Sequence, residues 1–113
     1  MPHFLIQFSY ASPSIKSLVD RPDVDHAGEA AALVASLGGV MHGYWYQFGE
    51  FDGVVLIEGP DNGTAASVAI AIGGTGEVTR LQTTVLLTMD EARLAMHTAA
   101  DATHLPPGPE GQR

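Results

Sequence analysis

The stretch Tyr44-Trp45-Tyr46-Gln47-Phe48-Gly49-Glu50-Phe51-Asp52-Gly53-Val54-Val55-Leu56-Ile57-Glu58 decides how this sequence folds. Aromatic and β-branched residues flank a Gly-Glu-Phe-Asp-Gly corner, the pattern of two antiparallel strands joined by a tight connection. Gly49 and Gly53 are expected to supply positive φ at this corner, and Asp52 to satisfy nearby backbone donors. With Val40 to Phe48 as one arm and Gly53 to Glu58 as the other, the stretch reads as a central hairpin.

On its N-terminal side, Phe4, Ile6, Phe8 and Tyr10 alternate with His3, Leu5, Gln7 and Ser9, which predicts a first strand with the first of these sets facing helices. Ser12-Pro13 reads as a helix start, with Ser14 to Val19 as a short helix interrupted at Arg21-Pro22. A second helical piece begins near Asp25, where Ala30, Leu33, Val34 and Leu37 form one apolar stripe that ends at Gly38-Gly39.

Beyond the hairpin, Pro60-Asp61-Asn62 opens a helix over Thr64 to Ile72 with Ala65, Val68, Ala69 and Ile72 on its stripe. That helix carries no charge and has Ile70 off the stripe, so burial on more than one side, with a neighbouring subunit as the second cover, is the expectation. Val78 to Leu87 predicts the last strand. Thr88-Met89-Asp90-Glu91 matches a capping box for a helix over Met89 to Ala100. The order β-α-β-β-α-β plus one helix is the ferredoxin-like, split-βαβ pattern: an α+β fold with a four-stranded antiparallel sheet in the order 4-1-3-2. One domain over residues 1–101 and an unstructured proline-rich tail over 102–113 are expected.

Thirteen acidic against five basic side chains give a net charge of -8, which disfavours nucleic acid and anionic membrane surfaces as partners. The absence of cysteine excludes thiolate chemistry and disulfides, and no stretch approaches the roughly 18 apolar residues of a membrane span, so a cytoplasmic protein is expected. The charged fraction of 16% is low, and an open sheet face bearing apolar side chains favours pairing between copies.

Leu37-Gly38-Gly39, Gly43-Tyr44-Trp45, Gly49-Glu50-Phe51-Asp52, Glu58-Gly59-Pro60-Asp61 and Gly76-Glu77-Val78 occur in the order that resembles the GYD domain family, over about residues 3 to 95. The resemblance implies a small bacterial protein of the dimeric α+β barrel kind, an architecture that serves cofactor-free oxygenases, isomerases, haem-handling enzymes and sensing modules alike. It therefore implies no single activity. Phe51 stands where the family's name-giving tyrosine would be, which removes a phenolic hydroxyl from the Gly49, Glu50, Phe51, Asp52 corner.

Candidate site residues are sought on the open sheet face. His3 as acid or base and Arg80 as holder of an anionic oxygen are the candidate catalytic pair, with Gln7, His42, Tyr44 or Trp45, and Gln82 as ligand-binding side chains. Such a set suits a small aromatic or carbonyl metabolite. The plainer readings are a frayed-end His3, an Arg80 that only pairs with a carboxylate, and faces filled by subunit packing in an interaction module. Glu50 and Asp52 sit close enough in sequence to share a proton, though a turn-capping Asp52 and a solvated Glu50 are the simpler roles. The histidines show neither His-x-His nor Glu-x-x-His spacing, so no metal and no cofactor is expected from local sequence. Any metal site would have to be assembled across the sheet from His3 and His42, or with His97. The glycines Gly73-Gly74-Thr75-Gly76 lack the Lys-Ser/Thr of a phosphate loop.

Overall fold

A computed structural model describes residues 1–102. The elements are β1 (His3–Tyr10), α1 (Ser12–Asp20), α2 (His26–Ser36), β2 (Val40–Tyr46), β3 (Gly53–Glu58), α3 (Asn62–Gly73), β4 (Val78–Leu86) and α4 (Met89–Ala100). All strand pairs are antiparallel in the order β2-β3-β1-β4, which is the expected 4-1-3-2 read from the other edge. The chain is thus an α+β, ferredoxin-like fold with one added helix. The expected tail lies outside the described residues except for Ala102.

Period-two alternation in β1 places Phe4, Ile6 and Phe8 on the helix side, where they meet Val55 and Ile57 of β3, Val34 of α2, and Ala65 and Val68 of α3 in one buried cluster. Burial of each larger member removes enough apolar surface to contribute about 1.5–3 kcal/mol. Asp25 caps α2 by accepting from Gly28 N at 2.9 Å, and Asp61 caps α3 by accepting from Thr64 N at 2.8 Å. The capping box of α4 is present in both directions between Thr88 and Glu91.

Several local expectations are corrected. The cap position of α1 is Ala11, without a side-chain hydrogen bond, and Ser12 is already helical with Pro13 behind it. Strand β2 stops at Tyr46, leaving Phe48 fully exposed beyond it. Positive φ occurs at Gly38 and Gly76 but not at Gly49 or Gly53. Gly53 is needed for space: a Cβ there would come within 2.6 Å of the Phe8 ring. Asp52 does bind a backbone donor, but on another strand, accepting from Tyr10 N at 2.9 Å just beyond the last β1–β3 pair.

The stripe of α3 buries Ala65 and Val68 against the sheet, whereas Ile70 is 73% exposed. With Val85 of β4 it borders a shallow apolar groove between α3 and the sheet edge. No described helix is long and apolar enough to cross a membrane.

Candidate functional site

The helix side of the sheet holds a cavity of about 250 Å³ between β1, β2, α1, α2 and the segment that follows α3. Phe8, Leu33, Val55 and Ile72 give it apolar walls, and Tyr10, Tyr44, His26 and Glu29 bring polar groups to it. Its volume lies just under the usual range of ligand pockets, about 300–1,000 Å³.

Strand register builds the polar floor. Tyr44 lies opposite Val55, so it shares the helix side with Phe8 and Tyr10. Its phenolic oxygen is 2.6 Å from that of Tyr10. One hydroxyl donates to the other, so the pair keeps one free O–H for a third group. Edge-to-face packing of Phe8 on Tyr10 at 5.4 Å and on Tyr44 at 5.9 Å fixes both rings. On α2, His26 Nδ1 stands 3.5 Å from Glu29 Oε1, one helical turn away.

Burial pushes the Tyr10 phenol well above its ordinary value, and the hydrogen bond with Tyr44 and the nearby Tyr44, Tyr46 and Glu77 add to the rise. Burial also raises Tyr44, although the hydrogen bond with Tyr10 partly opposes this. Both phenols are therefore donors at neutral pH, not bases. Because the folded values are raised, the neutral pair contributes stability in full below the usual phenol value of about 10, and that contribution is lost as pH rises past it. An absorbance titration of the native protein should show fewer phenolates at about pH 11 than the same chain in denaturant, where phenols return to their ordinary range. Tyr10→Phe and Tyr44→Phe should each remove one resistant group. Identical native and unfolded curves would rule out a protected pair.

Apart from Tyr44, the open face carries the candidate residues of the strands, but at separate places. His3 pairs with Leu86 and Glu58 at one end of β1, whereas Arg80 pairs with Ser9 near the other, about 20 Å away at the usual rise per strand residue. Arg80 binds Glu50 at 3.1 Å and lies 4.6 Å over the Phe51 ring. Gln7 and Gln82 face each other midway. Trp45 is also on this face, folded back over Gly43, where a Cβ would collide with its ring. Tyr44 is on the opposite side. Glu50 and Asp52 are held by different partners, Arg80 and Tyr10 N, and do not face a common proton.

His3 and His42 do come together, with rings stacked at 5.6 Å and Glu58 beside them. The hydrogen bond from His42 at 2.8 Å holds the Glu58 carboxyl below its ordinary value, with His3 and the terminal amino group adding to the effect. His97 is not part of this group. Tyr10, His26, Glu29 and Glu58 were not among the candidate site residues that the sequence offered. The parity of β1 already placed Tyr10 on the helix side, and pairing of Val55 with Tyr44 would have brought the second tyrosine to it.

A family model described as GYD domain matches residues 4–96. No curated protein matches the chain. Among solved structures, the chain is similar to one described as the crystal structure of FFRP-DM1, with 17% identity, covering 77% of this chain and 100% of that chain at a TM-score of 0.48.

Proposed function

The chain belongs to the GYD domain family, and on that premise we propose that it binds a small, mostly apolar molecule bearing a carbonyl or phenolic oxygen in the cavity between its sheet and its first two helices. The observation that carries this reading is the Tyr10–Tyr44 pair, a rigid and protonated donor set on the floor of a hollow walled by Phe8, Leu33, Val55 and Ile72. A free phenolic O–H aimed at a carbonyl oxygen fixes its orientation and draws electron density from the carbon. His26, supported by Glu29, is the group at the rim able to take a proton from a ligand so held. Turnover would follow from such a pair, and binding alone is enough for a sensor.

The open face supports a second role, pairing between copies of the chain. Leu5, Val54, Leu56 and Leu86 are only half-buried there, and Val40 and Trp45 are 49% and 53% exposed. In this arrangement the cavity and the assembly surface use opposite sides of one sheet.

Native mass spectrometry of the full chain reads both features at once, with single-ring phenols and aromatic ketones added as probes. A homo-oligomer that takes one probe per chain is expected. Ala30→Trp should fill the cavity and abolish that mass increment while leaving subunit number unchanged. Removing one phenolic hydroxyl should weaken probe binding by roughly 2- to 10-fold, the worth of one hydrogen bond. Probe binding that survives Ala30→Trp would place the ligand elsewhere, and an oligomer that takes no probe would leave only the assembly role.

A further inference from the structure

We propose that His3, His42 and Glu58 form a binding site for one divalent transition ion of the zinc class, at the end of the open sheet face. The three residues come from the start of β1, the middle of β2 and the end of β3, so nothing in local spacing announces them. Their ligating atoms lie within 4.8 Å of one another.

A break in strand pairing makes this possible. Between Met41 and Gly43 the β2–β3 register slips, so that Met41 faces Ile57, Gly43 faces Leu56, and His42 has no partner of its own. Such a bulge bends its strand and re-aims the extra side chain. His42 Nε2 thereby reaches Glu58 Oε1 at 2.8 Å, and its ring stacks within 21° of parallel on His3. His3 Nε2 stands 3.8 Å from the same carboxylate oxygen.

An ion about 2.0–2.1 Å from each ligand in tetrahedral geometry separates ligand atoms by about 3.3 Å. The His42–Glu58 pair has to open slightly and the widest pair has to close by no more than about 1.5 Å on that geometry. All three side chains are partly solvated, so side-chain torsions can make this change without moving the strands. Two imidazoles and one carboxylate suit zinc-class ions over calcium or magnesium, which take sets made only of oxygen. Three protein ligands leave one position for water or an exogenous donor. The net charge of -8 draws cations toward the surface. This site lies on the opposite side of the sheet from the tyrosine cavity, and the inference does not depend on what that cavity binds.

The test is calorimetric titration of the chelator-stripped full chain with Zn²⁺, paired with the visible spectrum of the Co²⁺ form. One ion per chain is expected, with cobalt bands of a four- or five-coordinate site. His3→Ala and His42→Ala should each weaken binding at least as much as the ~10–100-fold known for loss of an outer-shell partner, since each removes a ligand. Glu58→Gln should weaken it and alter the cobalt spectrum. His97→Ala and Ala30→Trp should leave both readouts unchanged, and melting curves of all variants report whether the fold is intact. Absence of saturable binding at about 100 μM metal, an affinity far below that of built zinc sites, would overturn the assignment. So would a His3→Ala/His42→Ala double variant that binds like the parent.

Discussion

Val68→Asp should leave the chain without a cooperative fold. Val68 is fully buried on α3, surrounded by the cluster of Phe4, Ile6, Val55 and Ile57. Replacement removes the apolar contribution of the side chain and puts a carboxyl group where the described core has no polar partner, because no polar or charged residue is buried there. An unpaired buried polar group costs a few kcal/mol even when neutral, and far more if ionised. Together with the lost burial, this approaches the ~5–15 kcal/mol that holds a domain of this size together. Loss of near-ultraviolet dichroism and of a sigmoidal melt is the expected readout. Ile70→Asp, two residues along the same helix but facing out, should melt like the parent. If Val68→Asp melts normally, the stripe assigned to α3 is wrong.

Phe51→Ala should be the costliest change in the hairpin corner. Phe51 is 5% exposed, and the Arg80 guanidinium covers its ring. The side chain anchors the corner at the point where Asp52 N donates to Phe8 O at 2.9 Å and the Asp52 carboxylate accepts from Tyr10 N. Truncation of a buried phenylalanine leaves a void as well as losing transfer free energy, about 3 kcal/mol at the low end of such changes. For a domain of about this length that corresponds to a fall in Tm of roughly 15 °C. Chemical denaturation should show the same loss with an unchanged dependence on denaturant. A fall of only a degree or two would mean that the corner is held by Asp52 alone. In the family to which this chain belongs, the corner's aromatic residue is here a packing element, and Asp52 ties the hairpin to β1.

The fold was legible because each of its signals is periodic or local. Alternation in Phe4, Ile6 and Phe8, the stripe of Ala65 and Val68, and the caps at Asp25, Asp61 and Thr88 each act over a few residues. The sites were much less legible, since they depend on register between strands distant in sequence. His3 and Arg80 both lie on the open face, as parity requires, yet parity says nothing of position along a strand, and pairing puts them at opposite ends. The slip at His42 moves one side chain relative to all others in β2, and period-two reasoning has no means to place it. Tyr44 followed the same rule in the other direction: Trp45 and Tyr44 must face opposite sides, and only pairing with Val55 decides which faces the helices.

Strand order also bears on how the chain is made. The interior strand β1 leaves the ribosome before the other strands of the sheet, and its two neighbours, β3 and β4, follow about fifty and eighty residues later. During synthesis its Phe4, Ile6 and Phe8 therefore have no sheet to join, and the hairpin of β2 and β3 can form only half of their cover. The final zip of Leu86 onto His3 closes the longest loop of any strand pair among the described residues. Non-local pairing of this kind slows folding and lengthens the time that apolar strands spend exposed. Nascent chains of this protein should accordingly depend on holding chaperones until β4 emerges, and a circular permutant that brings β1 and β4 together in sequence would shorten that interval.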